Sequence, residues 1–171
     1  MTPSGQRACV GGMTSKSDFS QEEWAQVVRA PFVAGFAVSL SDLGGPIEAS
    51  KEQMATLRGA TSPPSREELL TDVALDVQSM TQQREHPLKG YRPPGGGDPR
   101  EALLEELRAA RLVVESKATP EEASAFNRWL IDVAQAAADA AKEGGFMGIG
   151  ATRVSDREQT MLDRIRETFS A

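Results

Sequence analysis

Apolar positions along this chain recur at helical spacing. Leu69, Leu70, Val73, Ala74, Val77 and Met80 fall three or four residues apart, as one face of a helix requires. Phe126, Trp129, Leu130, Val133, Ala137 and Ala140 repeat the pattern. So do Leu103, Leu104 and Leu107 with Val113 or Val114, and Met161, Leu162, Ile165 and Phe169. The run Phe32 to Leu40 is apolar nearly all round, which predicts a helix buried on most sides at the centre of the fold. A helix through Trp24, Val27 and Val28 precedes it, and Pro31 either kinks that helix or opens the next. A shorter helix over 48–59 carries Met54 and Leu57. No segment sustains the period-two alternation of a strand. The pattern predicts an all-α protein of six to seven helices in one bundle-like domain.

Four Ser/Thr-x-x-Glu tetrapeptides predict helix starts: Ser20–Glu23, Ser65–Glu68, Thr119–Glu122 and Ser155–Glu158. In such a capping box the hydroxyl accepts a first-turn N–H and the Glu accepts the cap residue's own N–H. Phe19, just ahead of Ser20, has the position of a hydrophobic staple. Asp98-Pro99 reads as an N-cap followed by proline at the first helical position. Gly35 costs helix propensity inside the central helix, which points to close approach by a neighbouring helix. Residues 1–18 read as a flexible N-terminal tail, with Met13 an alternative start. Residues 19–171 form the domain, interrupted by a Pro/Gly loop over 85–98.

Charge narrows the function classes. Nineteen Lys and Arg against 25 Asp and Glu give 171 residues a net charge of −6. With no basic stripe, a phosphate backbone would repel the chain, so no nucleic-acid partner is expected. The single cysteine, Cys9, cannot form an intramolecular disulfide. Residues 1–19 lack the apolar core of a signal peptide, and no uncharged run reaches the ~20 residues of a membrane span. These features predict a cytoplasmic protein with no membrane span.

Two stretches share a plan: a Trp-bearing apolar helix, a Gly-Gly turn, then a helix with charged positions. They run from Trp24 to Gly59 and from Trp129 to Phe169. Val38-Ser-Leu-Ser-Asp42 precedes Gly44 in the first; Ala137-Ala-Asp-Ala-Ala-Lys-Glu-Gly144 precedes Ser155-Asp-Arg-Glu158 in the second. This layout resembles the all-α TerB family of tellurite-resistance-like proteins, over about half the chain. The resemblance implies two pseudo-repeated helix–turn–helix units and a cation at the acidic turns. Asp42 and Glu48, or Glu143 and Asp156, are the carboxylates that such a site would use, among turns otherwise rich in glycine and apolar residues. The Gly-Gly-Phe-Met-Gly-Ile-Gly loop is similar to one in uncharacterised bacterial helical proteins.

Candidate chemistry lies in the irregular segments. The loop carrying Gly144, Gly145, Phe146, Met147, Gly148, Gly150 and Arg153 admits three readings. It is a helix C-cap with apolar side chains tucked into the core, an exposed docking loop, or an anion cradle of backbone N–H groups. It matches neither the P-loop nor the dinucleotide-binding spacing. The second candidate loop carries His86, Lys89, Tyr91 and Arg92, with Arg84 ahead of it, and is locally basic in an acidic chain. Paired carboxylates at helical spacing (Asp72 with Asp76, Asp132 with Asp139, Glu101 with Glu105) read as solvated faces, because one histidine cannot supply a di-metal bundle or a zinc cage. No nucleophile motif accompanies His86 or Cys9. The expectation is therefore a non-enzymatic interaction or stress-related module, with no cofactor, that docks a protein partner or self-associates. A cation- or anion-binding TerB-like module and an enzyme with an inter-helix pocket are the alternatives.

Overall fold

The computed structural model describes residues 13–42, 45–93, 95–142 and 154–170. Among them it holds six α-helices and no strand: α1 (Gln21–Ser41), α2 (Pro46–Thr61), α3 (Glu68–Gln82), α4 (Pro99–Glu115), α5 (Pro120–Lys142) and α6 (Asp156–Ser170). The all-α expectation holds, at the lower helix count.

The count among the described residues is six because Pro31 neither ends nor starts a helix. It sits buried inside α1, where it brings no N–H for the preceding turn. Packing on most sides outweighs that lost bond. Val27, Ala30, Val33, Ala34, Ala37 and Val38 are fully buried, and α1 touches each of the other five helices. The central helix predicted over 32–40 is thus the second half of a longer one.

Three of the four boxes close. Glu23 N–H donates to Ser20 Oγ at 3.2 Å while Ser20 N–H donates to Glu23 Oε2 at 2.7 Å. The Thr119–Glu122 pair gives 3.2 and 3.0 Å, and the Ser155–Glu158 pair 3.2 and 2.8 Å. The Ser65 box does not form. There the helix starts two residues later than the tetrapeptide requires, Glu67 takes the cap position, and the Ser65 hydroxyl donates to the Glu67 carboxylate instead. A staple forms as expected, with the Phe19 and Trp24 rings 5.4 Å apart.

The expected tail is not tail throughout. Residues 1–12 lie outside the described residues, but Thr14 is buried and Lys16–Asp18 form a short 3₁₀ turn. Thr14 N–H and Oγ1–H donate to the two Glu122 oxygens at 2.8 and 2.7 Å. Lys16 N–H donates to Asp72 at 2.9 Å, and its ammonium to Asp76 at 2.6 Å. Asp76 also accepts the Trp24 indole N–H at 2.7 Å. Asp72 and Asp76 are therefore not merely a solvated face: they fasten the segment before α1 to α3.

Helix α2 turns a different side inward than its apolar residues suggest. Met54 is exposed, and the buried positions are Glu52, Thr56 and Ala60. Gly35 explains this. A Cβ built there would fall 2.7 Å from Thr56 Cγ2, so only glycine lets α1 and α2 approach this closely. Gly59 faces α5 less tightly: a Cβ there would lie 3.0 Å from Val133 Cγ2, and the Trp129 indole donates to the Gly59 carbonyl at 2.8 Å.

Candidate functional site

The Pro/Gly loop is more ordered than its composition implies. Arg84 adopts the left-handed conformation (φ 57) that ends a helix, and Glu85 N–H returns to the Met80 carbonyl at 2.8 Å. Two tight turns follow: Lys89 N–H donates to His86 O at 2.8 Å and Tyr91 N–H to Leu88 O at 3.0 Å. Gly90, at φ 74, takes the left-handed third position of the second turn.

This double turn lies against α1. The His86 ring meets Phe32 edge-on at 5.0 Å, and the half-buried Leu88 and Tyr91 pack against the core. The Arg29 guanidinium stacks 4.7 Å over the Tyr91 ring and donates twice to Glu106 Oε1, at 3.1 and 2.6 Å. Tyr91 thus lies against the ion pair that joins Arg29 of α1 to Glu106 of α4. Its hydroxyl is buried with no hydrogen-bond partner among the described residues. Burial, reinforced by the Glu106 charge and opposed by Arg29, pushes its phenol up to about 12.

The remaining candidates on this loop behave differently. Lys89 and Arg92 are exposed. His86 accepts the Leu88 N–H at Nδ1 (3.1 Å), so the neutral ring carries its proton on Nε2, and burial holds its pKa below the ordinary histidine value. No described residue bonds to Nε2.

Two hollows meet at His86. The larger, about 930 Å³, lies between the 3₁₀ turn, α1, α3 and the turn at 85–89; its wall includes Trp24, Val28, Arg29, Met80 and Lys89. The smaller, about 230 Å³, lies between α1 and α2 and is roofed by His86 and Leu88; Phe32, Phe36 and Leu40 line it, with Ser39, Gln53 and Thr56 as its polar positions. Trp24, Val28, Phe32 and Phe36 follow one another at four-residue spacing, so a single face of α1 floors both.

Asp42 and Glu48, the carboxylates singled out by the resemblance, lie near the buried Glu52 of α2. Burial raises the Glu52 carboxyl above its ordinary pKa; a Ser39 hydrogen bond opposes this, and the charges of Glu158, Glu48 and Asp42 add to it. Among the described residues, no three His, Cys, Asp or Glu side chains are grouped to hold a metal ion. The loop of Gly144, Gly145, Phe146, Met147, Gly148, Gly150 and Arg153 lies outside the described residues, as do Glu143 and Cys9. No described helix is long and apolar enough to cross a membrane. Sequence reasoning located the His86 loop but missed the face of α1 beneath it, because Phe32 and Phe36 read as core in a helix that is apolar all round. The four-residue row from Trp24 to Phe36 was the available signal.

Neither a family model, nor a curated protein, nor a solved structure matches the chain.

Proposed function

We propose that the protein is a non-enzymatic helical binding module whose recognition surface is the turn at 85–91 together with the face of α1 beneath it. One observation carries this reading. The turn's apolar members are fixed against α1, while among the described residues nothing bonds to His86 Nε2 or the Lys89 ammonium at the wall of an open cleft of about 930 Å³. Fixed apolar anchors with free polar donors beside a concave surface are the usual makeup of a binding site. A binding rather than a catalytic role is supported by the chain's one histidine. Its Nδ1 is engaged by backbone, and no described hydroxyl is bonded to its Nε2 as an activated nucleophile would be.

Native mass spectrometry of the full chain purified from its own host tests the reading. A bound species present on the wild type and absent from His86→Gln and Lys89→Glu is the expected result. Equal occupancy of wild type and both variants, or a bare wild-type chain, sinks it.

A further inference from the structure

We infer that the two hollows form one site for a small amphipathic carboxylate, its apolar tail between α1 and α2 and its carboxylate at His86 and Lys89; this rests on the binding role proposed above. The tail follows from the smaller hollow. At about 230 Å³ it accepts a short aliphatic chain or a single ring, and Phe32, Phe36, Leu40 and Leu88 give it an apolar wall. Phe36 stands 40% exposed at the mouth, which is unusual for a phenylalanine on the central helix and fits an apolar contact awaiting a partner.

The carboxylate follows from which polar groups remain unused at the junction. Asp76 is engaged by Lys16 and the Trp24 indole, and Glu106 holds Arg29. His86 Nε2–H and the Lys89 ammonium are left as donors, and both belong to the turn that separates the hollows. A carboxylate accepts from both and supplies the counter-charge that no described residue gives Lys89. Glu85, on the same turn and also lining the larger hollow, opposes an anion and tunes the site against tight binding.

Octanoate is the probe, followed by amide chemical shifts of the full chain. Saturable shifts at His86, Lys89 and Phe36, with the millimolar affinity expected of a fragment this size, are the predicted result. Ala49→Leu narrows the smaller hollow from α2 and is expected to weaken octanoate at least tenfold. Lys89→Glu, at an exposed position that leaves the fold intact, is expected to weaken it several-fold, and Glu85→Gln to strengthen it. Octylamine is expected not to bind. No saturable shift with octanoate, equal binding by Ala49→Leu, or octylamine binding that Glu85→Gln abolishes overturns the inference. A host-derived species that both His86→Gln and Lys89→Glu release, in a chain that ignores octanoate, overturns the ligand class alone and leaves the binding role standing.

Discussion

Thr14 and Glu122 lie 108 positions apart, and the buried carboxylate of Glu122 accepts both the backbone N–H and the hydroxyl of Thr14. The same carboxylate accepts Thr119 N–H and so completes the α5 capping box. One side chain thereby caps a helix and anchors the chain ahead of α1. Burial pushes this carboxyl up, but the bonds from Thr119 and Thr14 outweigh it and hold its pKa below the usual value. Stability from Glu122 is thus present above the unfolded carboxyl pKa, about 4.3, and is lost as pH falls through the lower folded value. Glu122→Ala leaves two N–H groups without acceptors and is expected to cost about 2–3 kcal/mol at pH 7. Urea denaturation is expected to show that cost shrinking below pH about 4; a cost unchanged between pH 7 and pH 3 contradicts the account.

Gly35→Ala is expected to destabilise the protein by about 1–3 kcal/mol, although alanine favours a helix by about 1 kcal/mol elsewhere. The new Cβ would press on the Thr56 side chain across the α1–α2 contact. Thr56→Ala in the same chain removes the hydroxyl and methyl that it meets, so the double variant is expected to recover part of the loss. Additive costs in a thermal double-mutant cycle would show that the two residues do not meet.

Tyr91→Phe is expected to match or exceed the wild type at pH 7, because the buried hydroxyl it deletes has no partner. Tyr91→Ala removes the ring under Arg29 and is expected to cost about 2–4 kcal/mol. The phenol is pushed up to about 12, so its contribution is intact below the unfolded value near 10 and declines as pH rises through the folded one. Denaturation at pH 8 and pH 11 is expected to show a larger loss for wild type than for Tyr91→Phe.

Glu52 gives the opposite sign at acidic pH. Burial raises its pKa, so the folded state is favoured while the group is protonated, fully below about 4.3, and loses that advantage as pH rises through the folded value. Glu52→Gln keeps the shape without the charge. It is expected to melt higher than wild type at pH 7 and level with it near pH 4; a lower melting temperature at pH 7 would show that ionised Glu52 stabilises the α1–α2 contact.

Much of the fold was legible because it depends on local rules. Ser20, Thr119 and Ser155 cap the helices that follow because a hydroxyl and a carboxylate three residues apart can close a box without outside help. Ser65 has the same spacing and fails, since Glu67 lies nearer to its hydroxyl than the third-residue N–H of an unformed turn. Gly35 announced a close neighbour, but the chain alone gave no hint that the neighbour is Thr56 or that α2 would bury Glu52 in preference to Met54.

The candidate site divides in the same way. That the segment from His86 to Arg92 is irregular and basic is written in Pro87, Gly90, Lys89 and Arg92. That Tyr91 packs under Arg29, while His86 borders two hollows and Lys89 the larger of them, is decided by where the turn meets α1. Sequence by itself determined most helices, four of their caps (Ser20, Asp98, Thr119 and Ser155) and the inward stripes of α3 to α6, because these follow from spacing within a few residues. Only tertiary packing decided that α1 runs through Pro31, that Thr14 reaches Glu122 and that the α1 face from Trp24 to Phe36 lies beneath a turn. Each of those outcomes depends on contacts between residues far apart in the chain, whose combined burial outweighs the local preference at any one of them.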